Sequence, residues 1–218
     1  MKTCLVVTGG MVEEAFARSF VEKERIQKII AVDRGLETVR RLGLVPDYIV
    51  GDFDSVDPQV LGEFKKLPFI VWERHKPEKN ETDTELARSR ALTLGCDRIF
   101  FLGATGGRLD HMLANIHTLY ECMQKGVEAY LVDSQNRICL LDEGRTFCRG
   151  NQWGRYISFL PYTDRVTGIT LTGFRYPLEK KNLDKGTEAG LCVSNELADE
   201  YGELTFTSGV LVCVETRD

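Results

Sequence analysis

Along the first 133 residues, short apolar runs alternate with stretches whose apolar residues recur every three or four positions. The runs 4–8, 28–32, 47–50, 69–72, 98–102 and 129–132 predict strands. The clearest helix spans 107–123, where Leu109, Met112, Leu113, Ile116, Leu119, Tyr120 and Met123 form one stripe expected to be buried. Strand-helix alternation predicts an open parallel sheet of Rossmann-like α/β type, with ligands at the carboxyl ends of its strands. From about Ser134 the pattern changes. The runs 137–141, 156–160, 168–171, 187–193, 203–207 and 210–215 follow one another with turns between, predicting an antiparallel β-rich sandwich or barrel. The expected domains are therefore 1–133 (α/β) and 134–218 (β-rich).

Composition changes this picture little. Apolar residues make up 43% and charged residues 28%, which is enough for a packed core and argues against disorder. The net charge of −5 argues against nonspecific nucleic-acid binding, but not against a small phosphorylated ligand in a locally positive or metal-filled pocket. Seven cysteines without a C-x-x-C pair argue against a zinc ribbon or a disulfide framework. No apolar run is long enough to cross a bilayer and no signal-peptide pattern opens the chain, so a cytosolic location and no membrane partner are expected.

The candidate chemistry gathers after predicted strands. Gly51-Asp52-Phe53-Asp54-Ser55 follows an apolar run; if the chain stays extended, Asp52 and Asp54 project to one side. Paired carboxylates repel unless a cation neutralises them, and hard oxygen ligands suit Mg²⁺. Turn chemistry explains Asp57-Pro58, a helix N-cap followed by proline, better than it explains the other two aspartates. Thr82-Asp83-Thr84-Glu85 fits a capping box, which accounts for Thr82 and Glu85 and leaves Asp83 as either a helix-start residue or a third metal ligand. Gly103-Ala104-Thr105-Gly106-Gly107-Arg108 joins a strand to the long helix. Such a turn offers free backbone N–H groups and a guanidinium fork to phosphate, although glycine also serves a tight strand-to-helix turn. Thr8-Gly9-Gly10 and Asp33 resemble a dinucleotide fold in outline, but the third glycine of that fingerprint is missing.

Taken in order, these segments resemble the thiamine pyrophosphokinase family. Pro46 to Ser55 is similar to its P-D-x-x-x-G-D-x-D-S signature, and Lys79 to Glu85 to its K-D-x-T-D-x-E segment. Gly103 to His111 resembles its G-A-T-G-G-R-x-D-H loop, continued by Ala114-Asn115, and Ser194-Asn195-Glu196 resembles its S-N-E element. The resemblance implies a homodimer that binds ATP and thiamine at a site on the subunit interface. It also implies Mg²⁺ held by Asp52, Asp54 and Asp83. Asp33, Gly35, Thr82, Thr105, Gly106, Gly107, Arg108, Asp110 and His111 would line the nucleotide side, and Ser194, Asn195 and Glu196 the thiamine side. Asp52, Asp54, Asp83 and Arg108 would carry catalysis. The family's usual D-G-G-x-N is here Asp33-Arg34-Gly35-Leu36-Glu37, and Asn80 stands where aspartate is usual.

The implied reaction moves the diphosphate of ATP onto the thiamine hydroxyl and expels AMP, with Asp83 or Asp52 accepting the hydroxyl proton. Trp153 and Tyr156 are candidates for an aromatic wall. Three other readings compete: a diphosphokinase acting on another alcohol such as a hydroxymethyl pterin, a nicotinamide-dependent oxidoreductase, and a non-catalytic thiamine or nucleotide sensor. An oxidoreductase has no use for converging aspartates.

Overall fold

The computed structural model describes residues 1–75, 81–188 and 190–218. The chain divides into two compact units, Met1–Ser134 and Gln135–Asp218.

In the first unit the apolar runs become six strands, β1 (Thr3–Val7), β2 (Lys28–Val32), β3 (Tyr48–Gly51), β4 (Val71–Arg74), β5 (Arg98–Leu102) and β6 (Glu128–Val132). They pair in the order β4-β3-β2-β1-β5-β6, every pair parallel. All five residues of β1 are buried, as a central strand with both faces covered requires. The helices are α1 (Glu14–Lys23), α2 (Gly35–Arg41), α3 (Pro58–Phe64), α4 (Asp83–Thr93) and α5 (Leu109–Gln124). Two of them start as their sequences dictate. The Asp57 carboxylate accepts from the Gln59 N–H at 2.7 Å ahead of Pro58. At α4 the Thr82 hydroxyl accepts from the Glu85 N–H at 3.2 Å, while the Glu85 carboxylate accepts from the Thr82 N–H at 2.7 Å.

The long helix departs from expectation. Its buried residues are Asn115, Thr118, Leu119 and Cys122, whereas Leu109 and Leu113 of the expected stripe are 70% and 56% exposed. The buried face begins only at Asn115, so the first turns rise from the end of β5 with no cover over Leu109 and Leu113.

The second unit is a pair of antiparallel sheets. Its strands are β7 (Asn136–Leu141), β8 (Arg145–Cys148), β9 (Tyr156–Pro161), β10 (Arg165–Thr172), β11 (Leu178–Asp184), β12 (Tyr201–Thr205) and β13 (Leu211–Thr216). One sheet runs β7-β13-β9 and the other β11-β10-β12-β8. Phe147, Phe159 and Phe174 join them in an edge-to-face cluster with ring centroids 5.7 to 5.9 Å apart. A strand expected over 187–193 is absent among the described residues, which turn through Leu191 N–H to Glu188 C=O and Val193 N–H to Gly190 C=O. The strand lies earlier, at β11, where Glu179, Lys180 and Lys181 mask the pattern. Charges of this kind mark an exposed sheet edge, and β11 occupies one.

Candidate active site

Strand order in the first sheet reverses at β1: the chain moves from β1 to β2 on one side and returns to β5 on the other. The crevice at the carboxyl ends of β1 and β5 is therefore where a doubly wound sheet receives its ligand. Two turns close its floor. The Gly10 N–H donates to the Gly103 carbonyl at 3.1 Å, and a Cβ on Gly10 would stand only 2.1 Å from that oxygen, so only glycine allows the approach. The turn after β5 is pinned at its base, where the Asn115 side-chain N–H donates to the Ala104 carbonyl at 2.9 Å and the Thr105 hydroxyl to Asp133 at 2.5 Å. Its tip, Gly106-Gly107-Arg108, is exposed. Thr105 thus anchors the turn, while Gly35, also expected on the nucleotide side, is buried with its α-carbon against the Val7 carbonyl.

Arg108 lies just before α5, its guanidinium held in a two-pronged bond to the Asp110 carboxylate at 3.1 and 2.5 Å. That partner raises the basicity of Arg108 and holds the Asp110 carboxyl at about 2. Both side chains are exposed, as is His111.

The aspartates sit one strand away. Asp33 follows β2 in a left-handed conformation, φ 42°, and its N–H donates to the Val50 carbonyl at 3.1 Å. Its carboxylate presses on β3: a Cβ on Gly51 would fall 1.8 Å from Asp33 Oδ1. Beyond Gly51 the chain is not extended. Phe53 is left-handed at φ 67°, its ring edge-on to Trp72 at 5.4 Å, and the Asp54 N–H folds back onto Asp52 Oδ1 at 3.0 Å. The same-side argument for Asp52 and Asp54 therefore does not hold, and Asp54 is exposed.

Asp83, the first residue of α4, reaches across to hydrogen-bond Asp33. Burial, the Asp83 carboxyl beside it and, more weakly, Asp52 push Asp33 up to about 7, against a smaller opposing pull from the Phe53 N–H. Among the described residues no three of His, Cys, Asp and Glu yet surround one point as a metal's ligands do, so Asp52, Asp54 and Asp83 are not gathered into a cage. The repulsion of Asp33, Asp83 and Asp52 is nonetheless what a hard divalent cation relieves, and all the donors are carboxylate oxygens. The contact between Asp33 and Asp83 had no signal in the sequence, because the turn after β2 and the start of α4 come together only when α4 packs on the sheet. Asn115 did leave one, as a polar residue on the buried side of a helix. Asn80 lies outside the described residues. Glu37 accepts the Asp57 N–H at 3.3 Å, tying α2 to the start of α3.

In the second unit Ser194 is exposed and left-handed, φ 56°, its N–H donating to the Ser158 hydroxyl at 2.9 Å. Asn195 is 2% exposed, and its amide clamps Tyr176 by accepting the backbone N–H at 3.0 Å and donating to the carbonyl at 2.9 Å. Glu196 is held between Arg155 at 2.8 Å and Arg175 at 3.2 Å, and Arg155 first, then Arg175, lowers its carboxyl. Only Ser194 of the three presents an uncommitted side chain. Tyr156 and Trp153 each face guanidinium groups, Arg155 for the former and Arg137 and Arg217 for the latter.

Comparison with known proteins bears on both units. Residues 21–131 match the family described as thiamin pyrophosphokinase, catalytic domain, and residues 146–211 match thiamin pyrophosphokinase, vitamin B1 binding domain. A thiamine pyrophosphokinase of Bacillus subtilis (strain 168) is 36% identical over 189 residues, covering 87% of each chain. The crystal structure of thiamine pyrophosphokinase from Bacillus subtilis superposes with a TM-score of 0.88 at 32% identity over 100% of both chains. That of thiamin pyrophosphokinase from Geobacillus thermodenitrificans gives 0.86 at 30% identity, covering 99% of this chain and 98% of that one.

Proposed function

We propose, because the chain belongs to the thiamin pyrophosphokinase family, that it transfers the diphosphate of ATP to the hydroxyl of thiamine, giving thiamine diphosphate and AMP. The observation that carries this reading is the hydrogen-bonded pair Asp33 and Asp83, with Asp52 close by, on the sheet edge that also bears the open Gly106-Gly107-Arg108 turn. Mutually repelling carboxylates beside an anion-binding turn suit a polyphosphate that arrives with its cation.

Asp52, Asp54 and Asp83 would hold Mg²⁺, which when bound offsets charge on the diphosphate and fixes its orientation. Asp33 lies against this set and the nucleotide together. The N–H groups of Gly106 and Gly107 face the phosphates, and Arg108 exchanges the Asp110 carboxylate for phosphate oxygens as the nucleotide seats. The thiamine hydroxyl attacks the β-phosphorus in line, the bond to the α-phosphate oxygen breaks, and AMP leaves. Asp83 or Asp52 accepts the hydroxyl proton. Positioning and electrostatics supply most of the rate. The proposal extends to a homodimer in which the second subunit's β-rich unit brings Ser194 to the thiamine, while Asn195 and Glu196 shape its loop. In support, Met11, Leu109 and Leu113 stand 75%, 70% and 56% exposed around the phosphate turn, an apolar surface that a partner would cover.

Incubation with ATP, Mg²⁺ and either thiamine or a hydroxymethyl pterin tests the reading. Thiamine should yield equimolar thiamine diphosphate and AMP, and the pterin neither. Release of ADP, or transfer to the pterin instead, contradicts it. Binding of ATP and thiamine without AMP release identifies a sensor.

A further inference from the structure

Arg34 follows β2 and immediately precedes α2, so it flanks β1 on the side opposite Arg108, which follows β5. It packs against the turn after β1: a Cβ on Gly9 would lie 3.3 Å from the Arg34 Cβ. The next residue, Gly10, is bonded to Gly103 of the phosphate turn. Arg34 therefore stands at the rim of the switch-point crevice, across the β1 turn from Gly106-Gly107-Arg108.

Its side chain is exposed, and it forms no ion pair or hydrogen bond among the described residues. Arg108 differs, because both prongs of its guanidinium rest on Asp110. An anion entering the crevice must displace a carboxylate to reach Arg108 but displaces only water to reach Arg34.

We infer that Arg34 is a second anion-binding residue of the crevice, gripping the phosphate chain of the nucleotide before reaction while Arg108 serves the group being transferred. This rests on the reading that the crevice receives a nucleotide polyphosphate. The recognised chemistry is a run of phosphate oxygens, which the guanidinium fork meets in pairs and an ammonium meets one at a time. A contact made equally before and during transfer strengthens binding without speeding the chemical step.

Calorimetric titration of ATP and of inorganic diphosphate, each with Mg²⁺ and without thiamine, tests the assignment on the unaltered chain, Arg34→Ala and Arg34→Lys. Arg34→Ala should weaken both ligands by about tenfold, the scale of one charge-assisted contact. Arg34→Lys should recover only part of the loss. The KM for ATP should rise in step, with a smaller change in kcat, an unchanged KM for thiamine and an unchanged melting temperature. Affinity for ATP within twofold of the unaltered chain would overturn the assignment, as would a loss shared equally with thiamine. An unaltered chain that binds neither ATP nor diphosphate overturns it as well. Because binding is read without turnover, a failure to release AMP would sink the proposed reaction and leave the Arg34 result standing on its own.

Discussion

The carboxyl edge of the parallel sheet and the Ser194-Asn195-Glu196 loop carry the same kinds of residue and use them in opposite ways. In the loop, polar groups are satisfied by the protein itself: the Asn195 amide holds the Tyr176 backbone and Glu196 bridges two arginines. At the sheet edge they are set against one another, with Asp33 forced to about 7 by burial, Asp83 and Asp52. A satisfied polar group stabilises the fold, whereas repelling carboxylates destabilise it until something else binds. The difference separates residues that hold the fold together from residues whose charges are left unbalanced, even where a sequence motif names both.

The largest effect should come from the sheet edge. If the proposed reaction holds, Asp83→Asn is expected to cut AMP release on the order of a hundred- to a thousandfold, by removing a carboxylate charge from the set proposed to hold the metal. Its melting temperature should hold or rise, since a repelling partner of Asp33 is gone. A steady-state assay beside a thermal melt checks both, and a fall in stability with retained turnover would break the comparison. Arg108→Lys should follow, with a loss of about ten- to a hundredfold because an ammonium cannot replace the fork. Equal activity would make Arg108 an ordinary helix-start residue.

In the loop the order of effects should reverse. Asn195→Ala removes both bonds of a buried amide to the Tyr176 backbone and should cost about 2 kcal/mol. For a chain of this size that is a drop of about 4–8 °C in melting temperature. Ser194→Ala, altering an exposed hydroxyl, should leave the melt unchanged and raise the KM for thiamine alone. A normal melt for Asn195→Ala would place its amide outside the fold's support.

Much of this architecture was legible in the sequence. β2 and β5 fall where their apolar runs lie, and the α4 capping box forms with the donors its spacing demands. Periodicity failed where burial depends on what lies beneath an element: Leu109 and Leu113 fit a helical stripe but have no cover. It failed again at β11, whose lysines and glutamate read as loop yet sit on an edge open to water. At the candidate site, the motifs pointed to Asp52, Asp83 and Arg108. The bond between Asp33 and Asp83, the left-handed turn at Phe53 and the clamp made by Asn195 depend on contacts between distant elements and on backbone geometry, neither of which spacing encodes.

The central claim, that the carboxylates at the sheet edge are held against one another, is tested most directly by the stability of the metal-free protein as a function of pH. The folded state raises the Asp33 carboxyl from an ordinary value of 3.8 to about 7, so it binds that proton more tightly than the unfolded chain does. The stability contributed by the proton is complete below 3.8, declines as pH rises through that window, and is gone above about 7. Asp33→Asn keeps an oxygen for the Phe53 N–H but carries no charge. The account predicts that this variant lacks the decline and is at least as stable as the unaltered protein at pH 8. A variant that is less stable at pH 8, with the decline still present, would contradict it.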